Sequence, residues 1–241
     1  MSSWSIIPYT NEFEFSTGGG SLKRPNKWRS AEKGWTGGIV PVDVGRSLRI
    51  VPYWESWRPR IDRHDLIIDP GASFGAGNHP TTIIGLELLE KTISDLLCQD
   101  GAISFLDVGT GTGVLSIAAK ALGCDFIVAC DLDPCAIHLA QRNVNLNSST
   151  GLQQKLWGID FYIGPVDVMQ SDFDIVIANL AAPVLIRLKT ELVSRCKQYL
   201  ILSGIPDSMF ELVKEKFSVP GAHLEQTIRL NEWNGFIFNT R

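Results

Sequence analysis

The chain has 241 residues, 44% of them apolar, and a formal net charge of −4. That suffices for one sizeable core and suits one α/β domain with a small extension better than two full domains. The charge argues against a broad basic surface for direct nucleic-acid binding, no apolar run approaches the ~18–20 residues of a membrane span, and the five cysteines form no disulfide framework, which points to a reducing cytoplasm.

In chain order, "MSSWSIIPYTNEFEF" holds an alternating, aromatic-rich segment and does not read as a secretory signal. "STGGGS" (16–21) is a flexible break. Residues 22–65 are rich in Trp, Arg and Pro, with one strand expected at 47–52. From Leu66 the character changes, and strand and helix patterns alternate. A helix is predicted near 80–97, a strand at 103–108, a helix near 113–122, a strand at 126–130 and a helix near 134–146. Strands at 159–163 and 173–180, a helix near 183–195, a strand at 198–204 and a helix near 206–217 follow. "HLEQTIRL" and "GFIFNTR", flanking "NEWN", close the chain as a hairpin. This is the pattern of a doubly wound α/β fold: a mostly parallel seven-stranded sheet with helices on both faces and one antiparallel strand from the closing hairpin. The expected organisation is an N-terminal extension and linker, partly ordered, over 1–65, and the main domain over 66–241.

"FLDVGTGTGVLSIAAKALG" (105–123) carries most of the chemical information. A buried-type strand ends at Val108, then come Gly109, Gly111 and Gly113, then an Ala-rich helix. Glycine is needed where the backbone turns sharply or a ligand must touch it. The helix start behind the loop offers unpaired N–H groups. Dinucleotide binders use G-x-G-x-x-G, which would put glycine at position 114, here Val. The spacing is G-x-G-x-G, with Asp107 just before it. The next strand ends in Asp131, where a carboxylate can accept both ribose hydroxyl hydrogens. That feature serves both nicotinamide and S-adenosylmethionine binders and does not choose between them. Asp133 and Pro134 read as N-cap and first residue of the following helix.

"DIVIANLAAPVL" places Asn179 where the fourth strand leaves the sheet, at the edge where doubly wound sheets bind ligands. Its side-chain carbonyl can accept N–H bonds from a target nitrogen. The alternative role is a cap for the helix near 183–195.

The glycine motif resembles the first motif of class I S-adenosylmethionine methyltransferases. Three segments in order, "DPGASFGAGNHPTT" (69–82), "LDVGTGTGVLSIAAKALG" and "DIVIANLAAPVL", resemble the bacterial methyltransferases that modify ribosomal protein L11. "VGRSLRIVPYWESW", "LILSGI" and "NEWNGFIF" support this, and the similarity spans roughly 28–241. The resemblance implies a Rossmann-like class I fold, S-adenosyl-L-methionine as cofactor, and methylation of lysine or N-terminal amino groups on a protein, with a ribosomal protein as partner. It implies that the first segment closes over the cofactor. Phe74 would pack near it, and Thr81 or Thr82 would bond its methionine part. Asp107, Gly109, Gly111, Gly113 and Asp131 would hold it, and Asn179 would meet both cofactor and substrate amine. Family members carry a ferredoxin-like recognition domain before the region that matches residue 28. The residues here before that point are too few for such a domain, so the expectation for catalysis is firmer than that for substrate. A small-molecule methyltransferase and a non-catalytic S-adenosylmethionine-binding module fit the same motifs.

His79 is the only histidine in a motif, and beside Pro80 it reads as shaping the loop rather than as a base. No Cys/His spacing matches a metal site. Trp28, Trp35, Trp54 and Trp57 read as packing the extension onto the core, Trp233 as a substrate-side wall, and "SLKRPNKWR" (21–29) as a solvated basic segment.

Overall fold

The computed structural model describes residues 40–55, 62–71, 79–98, 101–148 and 158–241. The expectations for residues 1–39, for Trp57 and for Phe74 lie outside them. Residues 40–241 belong to one compact unit.

The described chain opens with β1 (Val42–Val44), β2 (Leu48–Pro52) and β3 (His64–Ile68). These form a three-stranded sheet in that order, β1–β2 antiparallel and β2–β3 parallel. Arg49 and Asp65 are register partners across it and pair through two hydrogen bonds, at 2.6 and 2.8 Å. Only β2 of the three was expected. β1 is three residues long, and β3 begins with His64 and Asp65, so neither shows a strand period.

Then follow α1 (Pro80–Leu97), β4 (Ser104–Val108), α2 (Val114–Leu122), β5 (Phe126–Asp131), α3 (Pro134–Ser148), β6 (Ile159–Ile163) and β7 (Phe173–Asn179). The chain closes with α4 (Ala182–Arg187), α5 (Lys189–Ser194), β8 (Cys196–Pro206), α6 (Phe210–Phe217), β9 (His223–Leu230) and β10 (Trp233–Asn239). The seven main strands lie in the order β6-β5-β4-β7-β8-β10-β9. The sheet is parallel except for β10, which is antiparallel to both neighbours. β4 and β7 are apolar nearly throughout because helices cover both faces. Phe105, Ile175, Ile177 and Ile201 join α1 and α2 in one core. Leu106, Val176, Leu200 and Leu202 join α4, α5 and α6 in the other.

The single helix expected near 183–195 is two. Leu188, at φ −90° and ψ 9°, ends α4 and starts α5. Neither glycine nor proline marks the break. Among the described residues, no helix is long and apolar enough to cross a membrane.

Candidate active site

The sheet order reverses between β4 and β7: β5 and β6 lie beyond β4, and β8 lies beyond β7. At such a switch point the loops leaving two neighbouring strands diverge and leave a crevice. Asp107 and Asn179 stand at its two sides. Strand alternation puts both, with Asp131 and Ser203, on the sheet face that α1 and α2 cover.

Asp107 is fully buried at the end of β4. Its Oδ2 accepts from the Thr110 hydroxyl (2.8 Å) and the Ser116 hydroxyl (2.7 Å), while its Oδ1 has no partner. Burial pushes the Asp107 pKa up to about 6, and the charge of Asp131 adds to the push against the two hydroxyls. Thr110 and Ser116 were missed by the sequence reading. Their signal was a hydroxyl three and nine positions after the aspartate, which means little until the loop folds back.

The glycine loop turns over the end of β5, where Gly109 and Thr110 both donate N–H to the Cys130 carbonyl (2.9 and 3.0 Å). Gly109, Gly111 and Gly113 all have positive φ, at 76°, 54° and 79°. Two of these glycines also make room for protein. A Cβ on Gly109 would lie 2.5 Å from Leu180 Cδ2, and one on Gly113 would lie 2.9 Å from Ala140 Cβ of α3. Gly113 thus serves the helix packing that dinucleotide binders assign to a glycine one position later. Asp131 accepts from Gly111 N–H through Oδ2 and from Asp133 N–H through Oδ1, both at 3.0 Å. Asp133 caps α3 as expected, accepting from Cys135 N–H at 2.8 Å.

Across the crevice, Asn179 is buried and its Oδ1 has no partner. It does not cap α4, because Ala181 is the N-cap and no side chain bonds there. Its register partner on β8 is Ser203, fully buried, whose Oγ is also unpaired. Leu180 donates N–H to the Ser203 carbonyl (3.3 Å), and its own carbonyl lies where a side chain on Gly204 (φ 89°) would collide with it. Ser203 and Gly204 had no role of their own in the sequence, only a place in "LILSGI", because they sit inside a hydrophobic strand.

The start of α1 completes the edge. The N-cap is His79, neither of the threonines: its Nδ1 accepts from Thr81 N–H (3.3 Å) and lies 2.8 Å from Thr81 Oγ1. Burial lowers the His79 pKa against the pull of Glu232, which suits a neutral, accepting imidazole. The ring meets Trp233 edge to face at 5.3 Å between centroids. Thr81 is therefore committed to the cap, while Thr82 Oγ1 is buried without a partner. Among the described residues, no group of three or more His, Cys, Asp or Glu could hold a metal ion.

Unpaired acceptors at Asp107 and Asn179, unpaired hydroxyls at Thr82 and Ser203, and two carboxylates that repel each other suit a cationic ligand rich in N–H and O–H donors. S-adenosylmethionine has that character, and the topology and glycine spacing define a class I S-adenosylmethionine-dependent methyltransferase. The family model for ribosomal protein L11 methyltransferase (PrmA) matches residues 14–241, further toward the N-terminus than the motifs reach. The L11 methyltransferase of Pelobacter propionicus is 36% identical, over 90% of this chain and 68% of that protein. That of Bacillus cereus is 34% identical, over 98% of this chain and 72% of that protein. The crystal structure of the ribosomal protein L11 methylase from Lactobacillus delbrueckii subsp. bulgaricus superposes with a TM-score of 0.71 at 26% identity, covering 84% of this chain and 98% of that one. The chain belongs to the PrmA family and is an S-adenosylmethionine-dependent methyltransferase.

Proposed function

We propose that this enzyme methylates amino groups, lysine or N-terminal, of ribosomal protein L11 in the cytoplasm. It recognises protein rather than nucleic acid or membrane. The substrate rests on the names of its relatives. The chemistry rests chiefly on one observation: Asn179 Oδ1 is a buried acceptor without a partner, at the switch point of the sheet.

S-adenosylmethionine, when bound, supplies a methyl group on a good leaving group. The chain's residues then have separable tasks. Asp131 accepts from ribose hydroxyls with the lone pairs its backbone bonds leave over. Gly109, Gly111 and Gly113 shape the loop against the cofactor, and Asp107 fixes that loop through Thr110 and Ser116. Thr82 takes the methionine end, since Thr81 is held by His79. Asn179 accepts an N–H of the target amine and holds it in line. As a neutral acceptor it does not favour the ammonium form, as a carboxylate there would. Burial at the strand ends already lowers the amine's pKa from about 10.4, so no strong base is required. Trp233 walls the substrate side.

Asn179→Ala should lose turnover on purified L11 while calorimetric affinity for S-adenosylmethionine stays within about threefold, a change below 1 kcal/mol. Loss of both together would move Asn179 from substrate site to scaffold. Methyl label appearing in small molecules but not in L11 would overturn the substrate.

A further inference from the structure

Two asparagines on α3 stand in for a missing strand. The outer edge of β3 and the residue after it present backbone groups that need partners. Asn147 Oδ1 accepts from Ile67 N–H, and its Nδ2 donates to the Ile67 carbonyl, both at 2.7 Å. Asn143 grips Asp69 the same way, at 2.8 and 3.1 Å. A side-chain amide has donors and an acceptor, so it can pair with a peptide unit as another strand would. The spacing suits this: four helical residues rise about 6.0 Å and two strand residues about 6.6 Å. Arg142 adds an ion pair to Asp69 Oδ2 at 2.8 Å.

Asn143 does one thing more. Its Nδ2 also donates to the Thr112 carbonyl at 2.8 Å. Thr112 lies between Gly111 and Gly113, where the backbone is intrinsically the least restrained. Asn143 is fully buried, so bulk water does not compete for the bond in the folded protein. Asn147 Nδ2 also donates within its own helix, to the Asn143 carbonyl.

We propose that Asn143 is a positioning residue for S-adenosylmethionine: one amide joins the glycine loop to the end of β3 and sets the loop before the cofactor arrives. The inference rests on the cofactor lying against that loop. Ordering done in advance is not charged against binding, so a loosened loop should bind more weakly.

The test compares Asn143→Ala with Asn147→Ala, each of which deletes one two-way grip on the small sheet. Urea unfolding gives stability, calorimetry gives S-adenosylmethionine affinity, and amide hydrogen exchange over Thr110–Gly113 in the ligand-free protein reads the loop. Both variants should lose comparable stability. Only Asn143→Ala should lose about tenfold in affinity, the scale of one buried hydrogen bond, and exchange faster in the loop. Equal affinity losses, or an unchanged loop in Asn143→Ala, would overturn the coupling. If Asn143→Ala does not fold, Asn143→Ser carries the same comparison with the same expected split. Failure of the unaltered protein to bind S-adenosylmethionine would instead sink the cofactor reading.

Discussion

The two walls of the crevice are finished to different degrees. On the β4–β5 wall, Asp107 Oδ2 holds two hydroxyls, Asp131 holds two backbone N–H groups, and the Thr112 carbonyl holds Asn143. On the β7–β8 wall and the helix start facing it, Asn179 Oδ1, Ser203 Oγ and Thr82 Oγ1 are buried and unpaired. A buried polar group left alone costs about 1–3 kcal/mol. The chain therefore satisfies most of one wall itself and leaves buried polar atoms open on the other. Asp107 Oδ1 is the exception on the first wall.

The largest expected effect breaks the first wall at Gly109. Gly109→Ala combines a left-handed backbone with a collision against Leu180, and should cost about 2–6 kcal/mol in urea unfolding. Adding Leu180→Ala should recover the collision and leave the backbone strain, a split that a double-mutant cycle resolves. Strict additivity would remove Leu180 from the explanation.

A middle-sized effect concerns charge. The Asp107 carboxyl binds its proton more tightly folded than unfolded. Its stabilising contribution is complete below pH 3.8 and is lost as pH rises through about 6. Asp107→Asn lacks that titration. The stability of Asp107→Asn relative to the unaltered protein should therefore grow by about 2 kcal/mol between pH 4 and pH 7. A flat difference would mean that the carboxyl is not strained.

The smallest effect sharpens the second wall. Ser203→Ala removes a hydroxyl that bonds nothing in the ligand-free protein, and should leave its stability unchanged or raise it by up to about 1 kcal/mol. A loss beyond that would show that the wall is already satisfied.

Much of this was legible in the sequence because it is local. The glycine spacing, Asp107, Asp131, Asn179 and all seven main strands are read from short windows, and the strand bounds follow closely except that Trp233 and Asn234, expected in the closing turn, open β10. What was not legible depends on partners far along the chain. Gly113 meets Ala140, Gly109 meets Leu180, and Asn143 meets both Asp69 and Thr112. No local period announces such meetings. The cap of α1 falls to His79 because its ring reaches the N–H two residues on, and imidazole is not among the usual capping side chains. The break at Leu188 has no sequence mark at all.

Leu180 has one further consequence. Its side chain lies over Gly109, after β4, and its carbonyl over Gly204, in β8, while Leu180 itself follows β7. It works as a bolt across the tops of three adjacent strands, tightened against two residues that lack a side chain. Each of those contacts closes where a single methyl group would not fit.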